Sequence, residues 1–350
     1  MELFFHCMPL WFELTALAFC LGGLPFLVWL SPAPRHLAVH DVAEAGTRLW
    51  IYFGASLAIM LASSLADLLS RTTEMSGEPL LSAFAEVPTV LFKTHTGTVW
   101  LVRAACLVLS GLLIVLGRRH QRSRAVLGPL ALLCAAMAFT ESASGHAADK
   151  GDFTVSEFVD WLHLLAASVW GGGLFVLILL VLPRLRLSGD ATVTNSVASL
   201  ISRFSRLAGV SAFIVVLTGS YNAWQYVGSL AAAVRTVYGL TVTVKVALLF
   251  PLLILAAFNR YTMVPLFASL AGAKSANAEH LSHSAEKILA RISPDKSGER
   301  VLTVFRRSLQ LEAFLMICLL FCAALLRHEI PAKHALHHRG GETQMPHHLH

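Results

Sequence analysis

Charge is what this sequence has least of. Asp, Glu, Lys and Arg make up 14% of its 350 residues against 56% hydrophobic, where a soluble domain carries about 25% charged residues. Together with a mean hydropathy of +0.65, this excludes an ordinary soluble protein and places the chain in a bilayer. Other absences narrow the function. No stretch matches the phosphate-cradling G-x-x-x-x-G-K-[ST] loop, no aspartyl-phosphate motif occurs, and no extramembrane segment could hold an ATPase. Any transport would therefore run downhill or on an ion gradient, and no enzyme chemistry is expected. The six cysteines show no disulfide framework. Five of them fall in apolar runs, where a free thiol behaves as a small hydrophobe. The opening MELFFHCMPLWFE has no Lys or Arg, whereas a signal peptide begins with a basic region, so the first apolar run is expected to be a retained span.

What the sequence does have is long apolar runs. A membrane-crossing helix needs about 20 mostly apolar residues. Eight runs qualify, at 10–30, 48–69, 91–116, 124–141, 158–182, 207–227, 238–258 and 309–326. The expected fold is all-α and polytopic, with about eight transmembrane helices. Basic residues sort by side. Arg35 and Arg48 follow the first run, Arg118, Arg119, Arg122 and Arg124 the third, Arg184, Arg186, Arg203 and Arg206 the fifth, and a further group from Arg260 to Arg307 the seventh. The positive-inside rule puts these connections in the cytoplasm and both termini outside. It also accounts for the net charge of +6 without a nucleic-acid partner.

The largest soluble piece is then a cytoplasmic connection at 260–308. A His-rich tail, 328–350, is too poor in apolar residues to form a core and is expected to be disordered. Within the spans, TGTVWLVR (96–103) and YGLTVTVK (238–245) each place a cation six residues after a glycine. LGGLPF in the first span and GGGLFV in the fifth also correspond. Two four-span halves would follow, 1–142 and 143–327, with a site between them as in many transporters.

Eleven of the 16 histidines fall on the outer side: His6, His95, His146, His163, His328 and the tail residues His334, His337, His338, His347, His348 and His350. Neutral imidazole is the commonest metal ligand, and a His-rich tract is a compositional metal signal. His6 adjoins Cys7 and Met8, whose soft sulfurs favour Cu(I). Asp160, one helical turn before His163, could hold the imidazole's other nitrogen, and Trp170 lies on that same face. Gly171, Gly172 and Gly173 suit close helix packing. Each feature also has a plainer reading: an interfacial histidine can simply bond a carbonyl or headgroup, Trp170 can be packing, and the tail can be polar filler. Within the spans, Arg103, Lys245 and Glu312 stand out, because charges there are costly and tend to face a bundle interior. Arg103 and Lys245 would bind an anion, pair with a carboxylate or snorkel. Glu312 would pair with Arg260, Arg306 or Arg307.

Taken together, the segments SGHA (144–147), DWLHLLAASVWGGGLF (160–175), RFSRLAGVSAFIVVLTGSYNAW (203–224), TVYGLTVTVKVALLFPLLILAAFNR (236–260) and RRSLQLEAFL (306–315) resemble the CopD family of bacterial inner-membrane copper proteins, PcoD-like members included. The N-terminal half is similar more loosely, through THTGTVWLVRAACL. The resemblance implies eight spans, a location in the bacterial inner membrane, and copper taken inward from a CopC-like periplasmic carrier. It carries over His146 and His163 as ligands, and Asn259 and Glu312 as residues without an assigned role. His95, His6, Cys7 and Met8 are secondary candidates. A haem-binding membrane redox protein, with histidines as axial ligands, is one alternative. A copper-binding sensor or assembly scaffold without flux is another.

Overall fold

The computed structural model describes residues 2–29, 39–77, 79–120, 123–184, 191–266, 298–329 and 331–333. The tail histidines from His334 onward, the side chain of His6 and most of the 260–308 connection lie outside the described residues. Eight helices are long and apolar enough to cross a membrane. They are α1 (Glu2–Trp29), α2 (Val39–Ser76), α5 (His95–Leu116), α6 (Arg124–Ala143), α7 (Val155–Val176), α8 (Ala191–Tyr226), α10 (Val237–Phe258) and α11 (Gly298–His328). Three short helices, α3 (Leu80–Ala83), α4 (Val87–Lys93) and α9 (Leu230–Arg235), lie between them. No strand occurs among the described residues. Hydrocarbon offers no partner for a free N–H or C=O, so each crossing segment closes its hydrogen bonds within itself. The same requirement carries α2, α8 and α11 well beyond their apolar windows, because the backbone ladder continues into polar residues at the interface.

α1 is the central helix, packed against α7, α2, α11 and α6. Its membrane window is 72% buried within the protein, against 6% for α10, yet α1 is the less apolar of the two, with a mean hydropathy of 1.7 against 2.3. A helix facing lipid must be apolar all round, whereas an enclosed one can pair a polar group with its neighbours. The α1–α7 crossing is built on glycine. A side chain at Gly22 would overlap the backbone at Gly172 and Gly173, and one at Gly172 would overlap the Ala18 carbonyl. The three consecutive glycines of α7 turn to three different helices: Gly171 meets Met316 of α11, Gly172 meets α1, and Gly173 meets Phe204 of α8.

An even number of crossings brings the start of α1 and the end of α11 to one face of the bundle. There the Trp11 indole N–H donates to the Ile317 carbonyl at 3.2 Å, and its ring meets Phe321 edge-on. α8 and α10 barely touch each other. The space between them, backed by α7 and α11, is where the site lies.

Candidate functional site: a histidine-lined cavity

A cavity of about 450 Å³ opens among α1, α7, α8, α10 and α11 and the turn before α7. His146, Asp160, His163, Trp170, Tyr238, Lys245, Met316 and Arg327 all line it. The two leading histidines of the sequence, 17 positions apart, thus reach one chamber. α7 is positioned by its start: Thr154 Oγ1 accepts from Glu157 N, and the Glu157 carboxylate accepts from Phe153 N. This is a variant of the capping box, which satisfies orphan donors of the first turn. From that start, His163 falls two turns into the membrane.

His163 is held from α8. Its Nδ1 lies 2.9 Å from Thr218 Oγ1, and that hydroxyl lies 2.6 Å from the Ile214 carbonyl. A threonine has one hydroxyl proton, and here the carbonyl takes it. Thr218 therefore accepts from Nδ1–H, which leaves the lone pair on Nε2, the form a metal ligand needs. Gly219 makes room for the ring, because a Cβ there would stand 3.2 Å from His163 Cε1. The Asp160 carboxylate does not hold the imidazole, as the helical spacing had suggested. One oxygen takes Asn222 Nδ2 at 3.1 Å, and the other lies 3.0 Å from Ser142 Oγ, whose single proton it shares with the Glu157 carbonyl at 2.8 Å, tying α6, α7 and α8 together at the rim. The two residues share a helical face, but Asp160 lies one turn nearer the interface, where those partners are. His146 opens the 3-10 turn His146–Lys150, with its ring 6.3 Å from that of Tyr238.

The other candidates lie elsewhere. His95 is half exposed and 2.9 Å from Asp152. Cys7 is buried in the core against other apolar groups. Neither they nor Met8 line the chamber. Among the described residues, no three His, Cys, Asp or Glu side chains converge as a ligand set. Lys245 lines the chamber without an ion pair or hydrogen bond of its own among the described residues. Arg103 is enclosed instead, 3.1 Å from Glu13 and 2.6 Å from Glu141, with further bonds to Thr140. Glu13 is the single charge of the first apolar run, so its need for a cation was readable from the sequence. Thr218, Gly219 and Asn222, by contrast, carried no such signal.

Trp170, almost fully buried, borders a second cavity of about 180 Å³. It and Leu253 line both chambers. Glu312 and Asn259 line the smaller one and hydrogen-bond each other. The expected ion pair of Glu312 with a nearby arginine is not formed: Arg260 donates to the Ser205 carbonyl and Arg306 to that of Leu182. The first of these carbonyls lies within α8 and the second in the 3-10 turn Leu182–Arg184 that follows α7.

Comparison with known proteins matches this architecture. Residues 10–155 match the family model "Copper resistance protein D-like, N-terminal domain", and residues 198–326 match "Copper resistance protein D"; most of α7, with His163, lies between them. The chain is 31% identical over 212 residues to the copper transport protein CutJ of Bacillus subtilis, a match covering 58% of this chain and 38% of that protein. It is 30% identical over 224 residues to copper resistance protein D of Pseudomonas syringae pv. tomato, covering 61% of this chain and 69% of that one. No solved structure matches. This multi-pass membrane protein belongs to the copper resistance protein D family.

Proposed function

We propose that the chain carries copper across the bacterial inner membrane, receiving it in the outer chamber from a CopC-like periplasmic carrier and passing it inward past Trp170 and Leu253. The observation that carries this reading is the shared wall: a chamber with two imidazoles and an inner chamber with a carboxylate, separated by two apolar side chains. His163 is the leading ligand, with its tautomer set by Thr218, and His146 is the second. The relatives' printed names, a copper transport protein and a copper resistance protein, support copper as the cargo. The fewer basic residues at the His146 end support the outside as the side of loading.

The test uses the full chain with the six tail histidines, His334 to His350, replaced by Asn, purified in detergent. Elemental analysis and a visible spectrum come from the same sample. About one copper per chain, lost in H163A with the thermal transition intact, is expected. Unchanged copper affinity in H163A would sink the ligand assignment, and a Soret band with stoichiometric iron would replace copper with haem.

A further inference from the structure

Glu312 is 2% exposed and Asn259 is 6% exposed, and Asn259 Nδ2 donates to Glu312 Oε1. That leaves Asn259 Oδ1, a buried acceptor, without a hydrogen-bond partner. An orphan of this kind is costly in an apolar interior. An ionised carboxylate cannot relieve it, because it only accepts. A protonated carboxylic acid can: its O–H donates to the carboxamide oxygen while its C=O accepts from the carboxamide N–H. That reciprocal pair satisfies both groups at once.

The surroundings favour the neutral acid. Glu312 makes no ion pair among the described residues. The other titratable side chains lining the inner chamber are Arg260 and Tyr261; Arg260 donates to the Ser205 carbonyl and lies over the Tyr261 ring. α7 and α8 present no titratable group to this chamber. Arg306, further along α11, is bonded to the Leu182 carbonyl. A carboxylate left in low dielectric without a cation takes up a proton rather than bear the cost of charge. Asn259 also begins a π-helical turn, Asn259–Met263, a local widening found often at functional sites.

We infer that Glu312 and Asn259 form a proton-binding site at the inner end of the route, loaded at neutral pH. Release breaks the acid O–H bond. The proton passes to water at the inner end, and the electron pair stays on the carboxylate, where it can meet an arriving cation. The site stands without copper; its coupling to copper movement rests on the function proposed above.

Infrared spectroscopy of the full chain in liposomes at neutral pH tests it directly. The wild type should show a carboxylic-acid carbonyl band that disappears in E312Q, a change that keeps a reciprocal amide pair and therefore the fold. N259L should shift that band to higher frequency as the acid loses its partner. A wild-type spectrum without the band, a band that persists in E312Q, or a band unmoved in N259L each overturns the site. Copper uptake under an imposed pH gradient then tests the coupling: E312Q should lose its response to the gradient. An equal response in both overturns the coupling, and absence of copper binding in the wild type would overturn the proposed cargo, not the proton site.

Discussion

In the N-terminal half, Arg103 stands six residues after Gly97; in the C-terminal half, Lys245 stands six after Gly239. The structure around the two glycines is the same. A short helix, α4 or α9, ends at a threonine, Thr94 or Thr236, in an extended conformation with φ near −118° and −119°. Each threonine hydroxyl accepts from the glycine N–H at 3.0 Å. Each glycine lies so close to the backbone of the preceding short helix that a Cβ would overlap it. Beyond this shared frame the cations part. Arg103 is sealed between Glu13 and Glu141, while Lys245 faces a chamber of about 450 Å³. The contrast teaches that one local frame can hold a bundle together in one half and open a working space in the other. What decides is whether the neighbouring helices bring carboxylates. α1 and α6 bring two to Arg103. α8 and α11 bring Gly219 and Met316 to the chamber, and its single carboxylate, Asp160, is engaged by Asn222 and Ser142.

The comparison breaks hardest at Arg103. R103M leaves Glu13 without its cation and Glu141 with Arg327 alone, and should cost about 3–5 kcal/mol, read as a large drop in the thermal transition in detergent. An unchanged transition would mean that the closed half is not held by this cluster. Next is Thr218, on the open side alone. T218V removes the acceptor that fixes His163, and should weaken copper binding by about 10–100-fold, the usual cost of losing a ligand's supporting bond, with little change in stability. Equal affinity in T218V and wild type would separate His163 from the metal. The shared frame predicts a symmetry: T94A and T236A should each cost about 1 kcal/mol, as helix caps do. Unfolding measurements that find one cap dispensable would show that the two frames are alike in shape only. The smallest effect belongs to K245M. It takes the charge of Lys245 away from Asp160, which keeps its bond from Asn222, and should cost less than about 1 kcal/mol, as a loosely coupled ion pair does. Copper affinity, measured by titration, should rise as a positive charge leaves the chamber.

Much of this was legible in the chain. The eight apolar runs located every crossing helix because hydrocarbon length and backbone satisfaction allow little else. Their ends were less legible: α11 begins about three turns before its apolar window, where packing and not hydropathy sustains it. Within the site, His146, His163 and Trp170 were visible as polar or aromatic residues at the membrane lip, and Lys245 and Glu312 as charges inside spans. Their roles were not. Spacing on one helix nominated Asp160 to steady His163, but the steadying hydroxyl comes from α8, 55 positions away. Charge complementarity nominated an arginine for Glu312, but Asn259 of another helix reached it first.

The sequence by itself determined that the chain lies in a membrane, how many times it crosses, which end carries the basic loops, and which few residues are too costly there to be idle. These follow from transfer free energies summed along one dimension. Tertiary structure alone decided that α1 lies at the centre, that Arg103 is closed while Lys245 is open, and that two histidines share a chamber walled off by Trp170 and Leu253 from a buried acid. Those outcomes depend on which helices come close enough to pair their side chains. That proximity is set by packing in three dimensions, glycine against glycine at the α1–α7 crossing, and no window along the chain records it.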